Sequence, residues 1–269
     1  MAKDPMPLFY QRLVALDRNA HARLKVKPLE DFLFTADVPL VPLLTPEFGP
    51  VSREYPIVFM RDANEMVPVA LTGMPRGKNL FLTSAGLWDA RYVPAYVRRY
   101  PFVFVETAAE QFALCIDPTS KCLDESTGTP LFESDGQPSA ALKETINRLG
   151  DYQRAVKLTR DFMKRLTESK LLMDANAKAD LPDGRSMQWS GFSVVDEKRF
   201  RELPESLLKE WFATGELGLV YAHLFSIGNL SELLRRHTLA GGTITATNNG
   251  TAATNTNAFD TSASAAAKT

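Results

Sequence analysis

Residues 139–172, SAALKETINRLGDYQRAVKLTRDFMKRLTESKLL, contain the longest stretch of helical periodicity in the chain. Apolar residues recur every three or four positions from Leu142 to Leu166, which lays one apolar stripe along a helix. Ser139 stands before the first periodic residue and is a favourable N-cap. The pattern predicts a single long helix that ends near Leu172 and separates two differently patterned halves.

The half before this helix favours β-structure. Four hydrophobic runs form two pairs with polar connections and predict two hairpins, residues 55–60 with 66–71 and residues 101–105 with 111–116. Residues 79–82 are expected to add a strand, and an antiparallel sheet is the economical arrangement of these strands. Proline recurs through the first fifty residues, which predicts an extended arm with short strands that wraps the body.

Polar connections alternate with helices in the half after the long helix. Residues 174–185 are expected to form a loop, and residues 187–195 a strand. The helix boundaries that follow are an N-cap at Asp196, a helix start at Pro204, a left-handed C-cap at Gly215 and a last helix over residues 216–237. The predicted fold class is α+β, with an antiparallel sheet in the first half packed by the long helix and the C-terminal helices.

Composition divides the chain into a body and a tail. Residues 1–238 are expected to form one domain that includes the proline-rich arm. Residues 239–269 consist largely of Ala, Thr, Asn, Gly and Ser, and offer too little apolar surface to offset chain entropy. A disordered tail is therefore expected; the functional alternative is an adhesive or export-related segment.

Charge and cysteine usage exclude several classes of protein. The 31 basic and 32 acidic residues leave a net charge of −1, which argues against nucleic-acid binding. The N-terminus has no apolar signal region, and no run approaches the ~18 apolar residues of a membrane span. A cytoplasmic protein without an integral membrane segment is expected, with non-classical export or surface association left open. Cys115 and Cys122 are expected to be reduced thiols, the alternative being a disulfide across a turn.

Motifs for catalysis and cofactor binding are largely missing. The three histidines are not spaced as metal ligands, so no metal site is expected. Residues 73–79 resemble a phosphate-binding loop but are one residue short and lack its hydroxyl, which favours an ordinary hairpin loop. Dinucleotide-binding and serine-hydrolase motifs are absent as well, and no cofactor is expected.

One segment, residues 88–102, is rich in recognition residues. Tyrosine and tryptophan provide amphipathic contact area and arginine binds anions through a planar fork, a mixture enriched at binding hot spots. A short helix is expected over residues 88–99, in which Pro94 has to lie in the first turn or else breaks the helix. The alternative is a structural role, with tyrosines spaced by four packing on the sheet. The candidate binding residues are Trp88, Arg91, Tyr92, Tyr96, Arg98, Arg99 and Tyr100, with His223 of the last helix.

Three separated motifs carry a family resemblance. Residues 92–102 resemble the Y-x-P-x-x-x-R-x-Y-P-F motif of the SapC family, residues 131–139 its L-F-x-x-x-G-x-P-S turn, and residues 217–230 its A-H-x-x-S-x-x-N-L helix. The resemblance covers roughly residues 7–237. It implies a link to surface-layer gene clusters or to outer-membrane nutrient systems, and it brings no catalytic residues to this chain.

Three functions are compatible with these observations. The first is an accessory protein that binds a protein or peptide client through the tyrosine- and arginine-rich segment. The second is an enzyme, or the partner subunit of one, acting on an amino acid or peptide. That site would need Asp89, Arg91, Arg98, Tyr100 and His223 to come together. The third is a purely structural or surface-layer role.

Overall fold

The computed structural model describes residues 6–74, 77–108, 111–180, 186–240 and 263–264. The strands are β1 Val14–Ala15, β2 Lys25–Val26, β3 Leu40–Pro42, β4 Ile57–Asp62, β5 Glu65–Leu71, β6 Phe102–Ala108, β7 Gln111–Ile116, β8 Leu123–Asp124, β9 Thr129–Pro130, β10 Leu172–Asp180, β11 Ser186–Val195 and β12 Ala263–Ser264. The helices are α1 Phe48–Val51, α2 Ala95–Arg98, α3 Ala140–Glu168, α4 Glu197–Arg201, α5 Glu205–Thr214, α6 Glu216–Ser226 and α7 Leu230–Leu239. The predicted α+β class is confirmed.

The first predicted hairpin, β4 with β5, forms the centre of a five-stranded sheet. Its strand order is β10-β11-β4-β5-β3, and every neighbouring pair is antiparallel. Val58 of β4 lies opposite Val69 of β5, and both are fully buried. The β-branched side chains fill the space between the sheet and the helices, as expected for strands covered by other elements.

The second predicted hairpin, β6 with β7, belongs to a different sheet of order β1-β7-β6-β12. A small third sheet joins β8, β2 and β9. The expected antiparallel pairing of both hairpins is confirmed, and the two hairpins lie in different sheets rather than in one. Each hairpin pairs with different strands. Strand β1 of the proline-rich arm pairs with β7, and β11, from far along the chain, pairs with β4. The short strands expected in the arm are present.

The long helix α3 packs against both sheets. The Ser139 hydroxyl accepts a hydrogen bond from the Leu142 amide, which confirms the predicted N-cap. Near its start, Leu142 and Leu149 belong to a buried cluster with residues of the second sheet. Near its end, Phe162 lies edge-on to Phe48 in the main core against the first sheet. Because α3 spans both clusters, its central turns border the space between the sheets.

The structure corrects three local predictions. In the expected loop over residues 174–185, residues 174–180 belong to strand β10, because this polar segment pairs with β11 at the edge of the first sheet, and residues 181–185 lie outside the described residues. Residues 79–82 form no strand, and only Leu82 makes an isolated bridge, to Trp88. The helix expected over residues 88–99 shortens to α2, since Pro94 ends up as its N-cap.

The C-terminal helices follow the predicted boundaries closely. The Asp196 side chain caps α4, Pro204 is the N-cap of α5, and Gly215 is left-handed at φ 82°. The last helix is divided into α6 and α7 by a short 3-10 turn at Ile227–Asn229.

Cys115 and Cys122 are buried and free, so the disulfide alternative is not formed. The tail expected over residues 239–269 lies almost wholly outside the described residues.

One helical stretch was not anticipated as a membrane candidate. Glu216–Leu239, which contains both α6 and α7, is 24 residues long and is apolar enough to cross a membrane by length and composition alone. Core helices of soluble proteins meet the same criterion. The absence of an integral membrane segment therefore stays a prediction.

Candidate functional site

Two consecutive arginines, Arg98 and Arg99, face different surroundings. The short helix α2 buries Tyr96 and Val97 and leaves Arg98 exposed at its last position. Arg99 follows the helix and is only 9% exposed. Because successive helical residues are rotated by about 100°, neighbouring arginines are directed to surface and interior. The segment thus carries one exposed and one buried cation.

Arg99 lines a cavity, which we call the Tyr/Arg cavity, with a volume of about 670 Å³. Buried residues such as Arg99, Leu149 and Tyr152 form its inner wall, whereas its rim carries exposed charged side chains. Most of the lining comes from three parts of the chain, and Cys122 and Thr129 complete it. The three parts contribute Tyr92, Arg98, Arg99 and Tyr100 from residues 88–102, Lys27 and Leu29 from the arm, and Glu144, Arg148, Asp151 and Tyr152 from α3.

Three tyrosine rings surround the Arg99 guanidinium. Its central carbon lies 3.8 Å from the centroid of the Tyr96 ring, 4.8 Å from that of Tyr152 and 5.9 Å from that of Tyr10. The faces of aromatic rings attract cations, most strongly where water is excluded. A guanidinium N–H of Arg99 also donates a hydrogen bond to the Tyr96 hydroxyl. The rings hold the guanidinium in one orientation beside the cavity.

Several polar atoms at this position have no hydrogen-bond partner among the described residues. They are Nε and Nη2 of Arg99 and the Tyr152 hydroxyl, all of them buried. Burial raises the pKa of the Tyr10 and Tyr152 phenols, although the Arg99 charge opposes the shift. Both phenols are therefore neutral at physiological pH, and neither offsets the charge on Arg99.

Glu47 organises the neighbouring wall. Its carboxylate accepts hydrogen bonds from the Tyr92 hydroxyl at 2.9 Å, the Ala95 amide at 2.6 Å and the Leu44 amide at 3.1 Å. Burial raises the pKa of Glu47, and these donors oppose the rise. The Arg98 Nη2 donates to the Tyr92 hydroxyl at 3.1 Å, which continues the network to the rim. The network fixes the ring of Tyr92 and the direction of Arg98.

Of the remaining predicted residues of this segment, Tyr100 lines the cavity, whereas Trp88, Arg91 and Tyr96 do not. Tyr100 lines it and stacks on Phe34 with ring centroids 4.3 Å apart. Tyr96 lies behind Arg99, fully buried. Trp88 does not line the cavity, and its indole nitrogen donates to the Tyr55 hydroxyl at 2.8 Å. Arg91 is exposed and also lies outside the lining.

His223 is located elsewhere, in the main core. Its Nε2 accepts a hydrogen bond from the Val195 amide at 3.0 Å, and its Nδ1 donates to the Ile57 carbonyl at 2.9 Å. Burial lowers its pKa to about 4. It lines neither the Tyr/Arg cavity nor a second cavity of about 440 Å³ beside β5 and α3. The residue set required by the enzyme hypothesis is therefore not assembled here.

Three contributors to the site were not identified from the sequence. Tyr10 lies in the proline-rich arm, Glu47 follows a proline in the same arm, and Tyr152 was assigned to the apolar stripe of α3. Of the three, only Tyr152 had a signal in the sequence: it is a tyrosine within the apolar stripe of α3, and a buried tyrosine hydroxyl usually needs a hydrogen-bond partner. Among the described residues, no group of His, Cys, Asp and Glu side chains is arranged to hold a metal ion.

Comparison with known proteins gives one match. The SapC family model matches residues 16–233, well over half of the 269 residues. No curated protein and no solved structure matches the chain significantly. The matched range contains all three motifs that carried the resemblance, together with the residues that line the Tyr/Arg cavity. The chain belongs to the SapC family.

Proposed function

We propose that this protein is an accessory protein that binds a protein or peptide client in the Tyr/Arg cavity. The observation that supports the proposal is the convergence of Tyr92, Arg98, Arg99 and Tyr100 on one cavity. Folding brings them together with a charged rim on α3, about fifty residues further along the chain.

The dimensions of the cavity suit part of a client rather than a whole protein surface. Ligand pockets generally span about 300–1,000 Å³ and combine apolar walls with a few oriented polar groups. The Tyr/Arg cavity has that size, and its polar groups are held by Glu47 and by the tyrosine rings. A client that inserts one or a few residues would bury them while its remainder contacts the exposed rim.

The origin of the client is proposed from the family. The family resemblance links such proteins to surface-layer gene clusters and to outer-membrane nutrient systems. We therefore propose a client from one of these systems, met in the cytoplasm or during non-classical export.

Site-specific photo-crosslinking tests the binding face. A photoreactive amino acid is placed at position 98 or 148, on the rim of the cavity, or at position 91, in the same segment but outside the lining. Irradiation in the native host is expected to give discrete adducts from positions 98 and 148. Position 91 serves as the matched control, because Arg91 and Arg98 are both exposed arginines of one segment.

The identity of the captured client is then read by mass spectrometry, and its contact peptide is synthesised for binding measurements. Equal adduct patterns from positions 91 and 98 would mean that the cavity is not the binding face. Adducts from none of the three positions, with the protein expressed and folded, would contradict client binding.

A further inference from the structure

The orientation of Arg99 leaves one particular edge of its guanidinium unbonded. Nε and Nη2 are neighbours on that edge, and both lack a hydrogen-bond partner among the described residues. This pair of parallel donors matches the two oxygens of a carboxylate. The Tyr152 hydroxyl, whose ring lies 4.8 Å from the Arg99 guanidinium carbon, is also buried without a partner. Buried polar groups are rarely left unsatisfied in proteins.

The chain itself contains an example of the same edge in use. In α7, Nε of Arg235 donates to Oε2 of Glu232 at 2.6 Å, and Nη2 donates to Oε1 at 2.7 Å. A planar carboxylate therefore satisfies both atoms that are unpaired in Arg99. No ion pair to Arg99 is present within the part of the chain that the structure describes.

The charges around the cavity favour a monoanion. Four cationic and three acidic residues line it: Lys27, Arg98, Arg99 and Arg148, and Glu47, Glu144 and Asp151. Arg148 pairs with Glu144, Lys27 pairs with Asp124 outside the lining, and Glu47 is held by three donors. The inner wall therefore retains the positive charge of Arg99. An unpaired buried charge is costly, so a ligand that neutralises it gains binding energy.

We infer that Arg99 and Tyr152 anchor a carboxylate of the client, with Nε and Nη2 of Arg99 donating to its two oxygens and the Tyr152 hydroxyl donating to one of them. Because all three atoms are buried in the free protein, their exposure to the cavity when the client binds is part of this inference. This inference rests on the proposed client binding and adds the chemistry of the group that is recognised. The carboxylate belongs to a peptide C-terminus or to an acidic side chain, which supply the same planar acceptor.

Equilibrium dialysis of the full-length protein against three mixtures of N-acetylated tetrapeptides tests the anchor. The first mixture has free C-termini and no acidic residues, the second has amidated C-termini and one Asp or Glu, and the third is amidated and neutral. We expect retention of the first or second mixture to exceed that of the third by tenfold to about a hundredfold. The arm that is retained identifies the source of the carboxylate.

Variants connect this preference to the two residues. Arg99→Lys keeps the charge but loses the fork, so the preference is expected to fall by about tenfold or more. Tyr152→Phe removes only the hydroxyl and is expected to reduce retention by roughly fivefold. Arg91→Gln, an exposed arginine of the same segment outside the cavity, is expected to behave as wild type. Circular dichroism and thermal melting establish that each variant is folded.

The outcomes separate the anchor from the binding function. Equal retention of all three mixtures, abolished by Arg98→Ala, would overturn the carboxylate anchor and leave peptide binding in the cavity intact. A carboxylate preference unchanged in Tyr152→Phe and in Arg99→Lys would also overturn the anchor. Retention of no mixture by the wild type would count against both the anchor and a peptide client.

Discussion

The guanidinium carbon of Arg99 lies 3.8 Å from the centroid of the Tyr96 ring, at the inner wall of the Tyr/Arg cavity. The two residues are separated by less than one helical turn. This contact holds a cation in the interior without a carboxylate partner among the described residues. A purely structural arginine and a ligand-binding arginine in this position differ in how much the free energy of unfolding changes when the charge is removed.

Replacing Arg99 by methionine is expected to change the free energy of unfolding by no more than about 1 kcal/mol. Removing the charge relieves a desolvation penalty of several kcal/mol per ion, and it also removes cation–π contacts that contribute about 2 kcal/mol each when desolvated. These effects oppose each other. Urea unfolding of the wild type and of Arg99→Met measures the resulting difference in the free energy of unfolding. A loss above about 3 kcal/mol, as when a buried ion pair is broken, would indicate a structural residue.

His223 gives the protein a specific pH dependence. Burial lowers its pKa to about 4, below the ~6.5 of an exposed histidine. Between these values the unfolded chain binds a proton that the folded chain does not, so stability is complete above pH 6.5 and falls with pH. Between pH 7.5 and pH 5, the wild type should lose about 2 kcal/mol more than His223→Gln.

Urea unfolding of both proteins at the two pH values measures this difference, and groups common to both cancel. An equal loss in the two proteins would show that His223 titrates normally in the fold. The Val195 amide and the Ile57 carbonyl that bond its ring would then not hold it in the neutral form.

The ion pair between Arg165 and Glu216 is expected to stabilise the packing of α3 on α6. Nε of Arg165 lies 2.5 Å from Oε1 of Glu216, whose side chain is only 4% exposed. Arg165→Met leaves a buried carboxylate unpaired and should lower the unfolding free energy by about 2–3 kcal/mol, because Arg165 itself is partly exposed. Chemical denaturation measures the change.

The adjacent Lys164 provides the control for this pair. Lys164 and Glu168 form an exposed pair on the same helix, so Lys164→Met should change stability by less than about 0.5 kcal/mol. Glu216→Gln combined with Arg165→Met should recover part of the loss. Similar effects of the Lys164 and Arg165 substitutions would contradict a special role for the buried carboxylate.

Ser139 should contribute measurably through its N-cap. Its hydroxyl accepts a hydrogen bond from the Leu142 amide at 3.2 Å, where α3 begins. Ser139→Ala is expected to lower the unfolding free energy by about 1 kcal/mol, and Ser139→Asp to retain it. Thermal and urea unfolding check both. Equal stability of the alanine and aspartate variants would mean that the N-cap does not contribute to the free energy of unfolding.

Elements encoded by local signals were predictable from the sequence, whereas those created by long-range pairing were not. Ser139, Asp196 and Gly215 mark helix boundaries through their own side chains or backbone freedom, and the structure confirms each. Strand β10 was missed because its polar residues have little strand preference of their own. It forms because β11 provides hydrogen-bond partners at a sheet edge.

The candidate site shows the same division. The recognition segment, residues 88–102, was evident from residue types alone, but the burial of Arg99 depends on contacts distant in sequence. Arg99 becomes buried because Tyr10 of the arm and Tyr152 of α3 close around it. Neither contact follows from the periodicity of the segment. His223 was also predicted to bind the client, yet its hydrogen bonds to β4 and β11 place it in the core.

Blocking the cavity tests the central claim most directly. Ala141 lines the Tyr/Arg cavity, whereas its exposed neighbour Ala140, also in the first turn of α3, does not. The affinity of the client peptide captured at position 98 is measured by fluorescence anisotropy for the wild type, Ala141→Trp and Ala140→Trp. We predict at least a tenfold weaker affinity for Ala141→Trp and no change for Ala140→Trp. Wild-type affinity in both folded variants would contradict binding in the cavity.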